Sequence, residues 1–156
     1  MVANGAVQSK LVYLITVWGC AQQYLLKAIQ TQQLTAARTV CGFQSWGWSR
    51  RKLLKRLGWM SVRQLVEFHT VLQAHKTIST GLPRPLHSSL SVEYPYRTRS
   101  AANGHIRHGE SSIKTFKHRA MVSYNKVPSE VKTGSLQTVK RKLKQWVLQN
   151  VPLDWG

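Results

Sequence analysis

Apolar residues recur at steps of three and four along most of this chain, and where that rhythm fails Pro and Gly take over. Between Gly19 and Gly42, Leu25, Leu26, Ile29, Ala36, Ala37 and Val40 follow the spacing of one buried helical stripe, with Gln22, Gln23, Gln30 and Gln32 largely elsewhere. The pattern predicts a long helix over 21–41. A second, short helix is expected between Ser49, a good N-cap, and Gly58, with Leu53, Leu54 and Leu57 facing inward. The third opens with Ser61-Val62-Arg63-Gln64, a capping box in which the Ser and Gln side chains each satisfy an orphan backbone N–H. Its stripe is Val62, Leu65, Val66, His69 and Leu72; it runs to Thr80, where Gly81, Pro83 and Pro85 end it. Helical spacing returns from Phe116 to Asn125, where Phe116, Ala120 and Val122 or Tyr124 face a core, before a turn at Val127-Pro128. Ser135 caps the last helix, with Leu136, Val139, Leu143, Trp146 and Val147 on one face and Lys140, Arg141, Lys142 and Lys144 on the rest.

From Leu82 to Ser112 the chain is rich in Pro, Ser, Gly, Arg and His, which reads as a long loop with short extended pieces around Tyr94 to Thr98. The expected fold is therefore mainly α, a bundle of about five helices with a long Pro/Arg/His-rich middle loop that has room for short strands. Three regions are expected, 1–81, 82–115 and 116–156, folded as one compact unit. The apolar run Leu11 to Cys20 (LVYLITVWGC) is shorter than the roughly 20 residues a bilayer requires, and Met1 to Gln8 lacks the basic start of a signal peptide. The run reads as a core helix or strand, and no transmembrane segment is expected.

Charge changes the picture most. Only five acidic residues, Glu67, Glu93, Glu110, Glu130 and Asp154, oppose 23 Lys and Arg, a formal net charge of +18. A phosphate backbone neutralises such a field and releases counterions; a neutral partner leaves the mutual repulsion in place. Nucleic acid is the leading partner, with an anionic membrane surface second. A hydrophobic fraction of 42% with six Trp is too rich for a disordered basic tail. Cys20 and Cys41 form no C-x-x-C motif and read as reduced thiols of an intracellular protein, nuclear or cytoplasmic.

Catalysis finds no footing. Scattered acids cannot hold the ions of two-metal phosphoryl transfer, and neither a P-loop nor a G-x-S-x-G elbow is present. His105 and His108 lie three apart without neighbouring thiols, short of the four ligands of a structural zinc site. His69 and His75 read as packing or surface positions, and His118, between Lys117 and Arg119, as part of a phosphate-facing surface. No catalytic residue, metal or cofactor is expected.

Five of the seven residues from Arg50 to Arg56 are cationic, on a helix that also carries a leucine face. Anchored by those leucines, Arg50, Arg51, Lys52, Lys55 and Arg56 form a fixed ladder suited to phosphates; a solvated face or a nuclear import signal are the competing readings. A second ladder is Lys140, Arg141 and Lys144. The middle region adds Arg97, Arg99, Arg107, Lys114, Lys117 and Arg119 among Tyr94, Tyr96 and Phe116. Bases interleaved with rings suit single strands or RNA, while the same rings equally serve to pin a Pro-rich loop to a core.

Taken in order, several segments resemble the region after the palm domain in reverse transcriptases of non-LTR, jockey-like retrotransposons. They are Tyr13 to Gly19 (YLITVWG), the Ala36-Ala37-Arg38 to Gly42 helix end, Leu54 to Val62 (LKRLGWMSV) and Arg97-Thr98-Arg99. The succession continues with Phe116 to Pro128 (FKHRAMVSYNKVP) and Ser135 to Trp146 (SLQTVKRKLKQW). Where that family has Trp-Asn and then Leu-Pro, this chain has Tyr124-Asn125 and Val127-Pro128, keeping an aromatic and an apolar anchor. The resemblance implies a thumb and post-thumb segment that grips RNA or an RNA/DNA template–primer duplex, a fragment without the palm's paired aspartates and so without polymerase activity alone. It further implies backbone contact by Arg50, Arg51, Lys52, Lys55 and Arg56, and structural roles for Trp18, Trp59, Phe116, Tyr124 and Trp146. A palm or polymerase domain is a possible second partner, and a protein-interaction module docking on such a subunit is the alternative reading.

Overall fold

The computed structural model of this 156-residue chain describes residues 2–90, 96, 98–107 and 115–155, with side chains from residue 5 onward. Among the described residues there are ten α-helices, one 3-10 turn and no strand. The mainly helical expectation holds, while the number of helices exceeds the five anticipated. The chain divides into two compact units, Met1–Val66 with Asn150–Gly156, and Glu67–Gln149.

The first unit holds α1 (Val2–Val12), α2 (Ile15–Trp18), α3 (Gln23–Cys41), a 3-10 turn (Phe43–Ser45), α4 (Arg50–Leu57) and the start of α5 (Val62–Thr80). Leu34 and Ala37 of α3, Leu53 and Leu54 of α4 and Trp59 form a buried cluster, against which Val7, Cys41, Trp48, Leu57 and Leu153 pack. Three of these, Leu53, Leu54 and Leu57, come from α4, an eight-residue helix too short to be stable by itself, so the leucine face is what keeps it folded. Ser49 caps α4 by accepting from the Lys52 N–H at 3.3 Å. Gly58 ends it at φ 67, a left-handed conformation that an L side chain rarely takes.

On α3 the buried stripe is not the predicted one. Leu25 and Val40 are exposed, while Gln30 and Gln33 are 5% and 2% exposed beside buried Leu26, Leu34 and Ala37. Gln30 Oε1 accepts from the Val62 N–H at 2.8 Å, Gln30 Nε2 donates to Gln33 Oε1 at 3.0 Å, and Gln33 Nε2 donates to the Met60 carbonyl at 2.8 Å. These amides satisfy the backbone at the start of α5, where four N–H groups have no partner within the helix. The capping box completes the set: Ser61 Oγ accepts from the Gln64 N–H and Gln64 Oε1 from the Ser61 N–H, each at 3.2 Å.

The apolar run at Leu11–Cys20 differs from a continuous core element. Leu14 adopts φ 49, strained for a leucine, and separates α1 from α2. The Trp18 indole N–H donates to the Tyr13 carbonyl at 2.8 Å across this break. Ile15 is buried, whereas Tyr13, Leu14 and Val17 face solvent. No helix among the described residues is long and apolar enough to cross a membrane.

The second unit holds the rest of α5, α6 (Arg84–Ser89), α7 (Arg99–Ala102), α8 (Phe116–Lys126), α9 (Ser129–Lys132) and α10 (Leu136–Asn150). The stretch read as a long loop thus contains two short helices. Pro83 is the N-cap of α6 and Pro85 lies in its first turn, where a missing N–H costs nothing; the prolines that end α5 start the next helix. Thr98 caps α7, accepting from the Ala101 N–H at 3.2 Å. Most of the Tyr94–Thr98 stretch lies outside the described residues. Asn125 clamps the end of the region, accepting from the Ile106 N–H at 2.8 Å and donating to its carbonyl at 3.0 Å, with Ile106 fully buried. On α10 Val139, Leu143 and Val147 are buried as expected, while Leu136 is exposed. On α5 Phe68, Val71 and Ala74 are buried, whereas His69 and Leu72 of the predicted stripe are half-buried.

Replacing Gln30 by Leu removes the acceptor of the buried Val62 N–H and is expected to cost about 1–3 kcal/mol of stability. Gln32→Leu, at an exposed position of the same helix, should change stability by less than about 0.5 kcal/mol. Urea unfolding of the two variants side by side checks the difference.

Candidate nucleic-acid interface

The cationic side chains of α4 are all exposed, as the leucine anchor requires, but they are not equivalent. Arg50 falls on the same side as Leu53, Leu54 and Leu57 and meets the Asp154 carboxylate at 3.0 Å. The Asp154 carbonyl accepts from the Arg63 guanidinium, the Val151 carbonyl from Gln64 Nε2 at 3.0 Å, and the Trp155 carbonyl from Gln23 Nε2 at 2.9 Å. Arg50 is thus enlisted in holding residues 151–155 against the first unit. Arg51, Lys52, Lys55 and Arg56 remain on the outward side. Lys52 Nζ stands 4.7 Å from the centroid of the Trp48 ring, a cation–π contact that steadies the head of the ladder.

Electrostatically α4 is under tension. Arg51 with Lys55 and Lys52 with Arg56 are like-charged neighbours four apart, each pair costing about 0.2–0.5 kcal/mol. No acid stands in the first turn, where the helix dipole favours one and where three cations sit instead. A polyanion lying along the outward side relieves both penalties.

The other predicted site residues fall in the second unit. Lys140, Arg141 and Lys144 are exposed on α10 and Arg99 is exposed on α7, as a ladder requires. Lys142 is half-buried and committed elsewhere: its Nζ donates to the Glu130 and Thr133 carbonyls at 3.0 and 3.4 Å. Lys117 and Arg119 on α8 are half-buried and already engaged in interactions of their own, so they offer less to a ligand than their spacing implies. Arg97 and Lys114, with Tyr94, lie outside the described residues. Tyr96 is exposed and Phe116 half-buried. Among the aromatics read as structural, Trp59 and Tyr124 are buried and Trp18 and Trp146 half-buried.

One cluster had no sequence signal. Tyr124 stacks on His75, with ring centroids 6.4 Å apart, and Lys132 Nζ lies 4.2 Å from the Tyr124 centroid. Burial pulls the Lys132 ammonium down from 10.5 to about 8, and burial first, then Lys132, holds His75 below its usual 6.5. His69 is lowered in the same way, by burial and then by Lys140. The three groups come from α5, α8 and α9, so only the fold brings them together.

No family model, curated protein or solved structure matches this chain.

A lowered cation constant means that the folded state resists protonation. Through pH 8 to 10 the unfolded chain therefore holds the Lys132 proton more tightly, and stability rises with pH across that window. Above pH 10 the raised phenol of Tyr124 acts in the opposite sense. Below pH 6.5 the depressed His75 and His69 make stability fall as acid is added. Lys132→Met should flatten the alkaline rise by about 1 kcal/mol, a figure discounted because the side chain is only partly buried, in urea titrations at pH 7.5 and 9.5.

Proposed function

We propose that this chain binds the phosphate backbone of RNA or an RNA/DNA duplex through the outward side of α4, without chemistry of its own. The observation that carries the reading is the row Arg51, Lys52, Lys55 and Arg56: exposed, fixed to a core by leucines, and with no carboxylate on the helix. Phosphate contacts of this kind position a nucleic acid without reading its bases. Lys140, Arg141 and Lys144 supply a second set of the same character, and Arg99 a further exposed cation. The resemblance to the post-palm region of non-LTR reverse transcriptases supports a template–primer gripping role within a larger polymerase, in a nuclear or cytoplasmic ribonucleoprotein.

A second reading has its own observation. Tyr13, Leu14 and Val17 are exposed, and a groove of about 470 Å³ between α1 and α3 is lined by Val7, Leu11, Ile29 and Ala36. Such a surface suits a protein partner such as a palm domain. Size-exclusion chromatography with and without nuclease separates the readings: an RNA-dependent shift supports backbone binding, and self-association relieved by a polymerase domain supports docking.

The decisive test is salt. Replacing Arg51, Lys52, Lys55 and Arg56 together by Ala should lower the slope of log K against log salt by about 3, at 0.7–0.9 per lost contact. The circular dichroism of the variant should stay that of the wild type, since all four side chains are exposed. An unchanged slope, or loss of helical signal, would contradict the assignment.

A further inference from the structure

Two of the most exposed large apolar side chains stand directly before the basic helix. Phe43 is 93% exposed and Trp46 70% exposed, on the 3-10 turn that joins α3 to α4. In a 3-10 turn residues three apart eclipse one another, and the Trp46 N–H closes this turn on the Phe43 carbonyl at 3.3 Å. The two rings therefore project from one edge. Exposure of both carries a large solvation penalty, and neither ring contributes to the buried cluster.

The turn itself is firmly held. Gly42, at φ 77, ends α3 in a conformation only glycine takes readily. Ser45 is fully buried, and its hydroxyl lies 2.7 Å from the Gly42 carbonyl and 3.1 Å from that of Arg38. Trp48 packs on the cluster and carries Lys52 over its ring. Trp46 lies between the buried Ser45 and the packed Trp48 and itself faces solvent. The rings are held in solvent by the same segment that leads into Arg51 and Lys52.

We propose that Phe43 and Trp46 form a stacking platform for the unpaired bases of a single-stranded nucleic acid whose phosphates run along α4. The proposal rests on the backbone-binding reading and adds to it the strandedness of the ligand. Every base has a π-face, so rings confer affinity without sequence preference, but they reach only bases that are not already stacked in a duplex. Charge complementarity favours this occupant over an apolar protein face. From Gly42 to Gly58 the chain carries five cations, Arg50, Arg51, Lys52, Lys55 and Arg56, and no acid.

Three 5′-labelled probes of equal length test it by fluorescence anisotropy: a single-stranded RNA, a blunt RNA/DNA duplex, and an abasic strand that keeps its phosphates and loses its bases. The wild-type chain should prefer the intact single strand to the abasic one. Phe43→Ala with Trp46→Ala should weaken the intact strand by about tenfold for each ring lost, leave the abasic strand and the salt slope unchanged, and leave thermal unfolding unchanged. Phe43→Tyr with Trp46→Phe should restore tight binding. Equal binding of the intact strand by wild type and double-Ala variant overturns the platform, and if the α4 variant still loses its salt slope the phosphate reading survives that failure. Failure of the wild type to bind any of the three probes overturns both, and loss of self-association in the double-Ala variant then assigns the rings to a protein contact.

Discussion

Three buried glutamines hold the first unit together. Gln30 and Gln33 project from α3 into the start of α5, and Gln64 ties that start to the Val151 carbonyl. A helix N-terminus buried among apolar groups leaves N–H donors without water, at a cost of about 1–3 kcal/mol for each one unsatisfied. The amides remove that cost at the Val62 and Ser61 N–H groups, which allows Trp59, Met60 and Val62 to be buried beside them. Because α3 is thereby locked to α5, the leucines of α4 meet a rigid wall, and a two-turn helix that would melt in isolation becomes a fixed support for charge.

That support is where stability and the proposed phosphate binding pull apart. A helix optimised for folding alone would place acids in its first turn and alternate its charges; α4 does neither. Its single carboxylate partner among the described residues, Asp154, engages Arg50 on the inner edge, a half-exposed pair whose value lies more in placing the tail than in energy. The outward four cations meet no carboxylate among the described residues. The adjoining 3-10 turn repeats the theme with apolar groups, a buried serine and a glycine being used to keep Phe43 and Trp46 in water.

In the second unit the same residue types serve different ends. Lys140, Arg141 and Lys144 point to solvent, Lys142 bridges two carbonyls at the approach to α10, and Lys132 lies over the Tyr124 ring with its charge made costly by burial. Asn125 pins Ile106 through both of its amide atoms. The Tyr124-Asn125 and Val127-Pro128 pairs are accordingly structural: Val127 is buried at the end of α8 and Pro128 precedes α9.

Local chemistry was legible wherever a signal is contained within one turn. The caps Ser49 and Ser135, the reciprocal Ser61 and Gln64 box, the stop at Gly58 and the inward leucines of α4 each depend on neighbours three or four residues away, and periodicity plus capping located α3, α4, α5, α8 and α10. What depends on partners distant in sequence was not legible. A glutamine reads as a surface residue until Met60 and Val62 arrive opposite Gln33 and Gln30, and Arg50 reads as one more rung until Asp154 returns to it. Prolines 83 and 85 read as loop because a breaker of one helix and the first turn of the next look alike. Composition and spacing by themselves determined that the chain is helical, strongly basic and built to present cations from anchored helices. Tertiary structure alone decided which cations stay free, which polar groups are buried and which rings face water, because burial and pairing are set by contacts that no local pattern encodes.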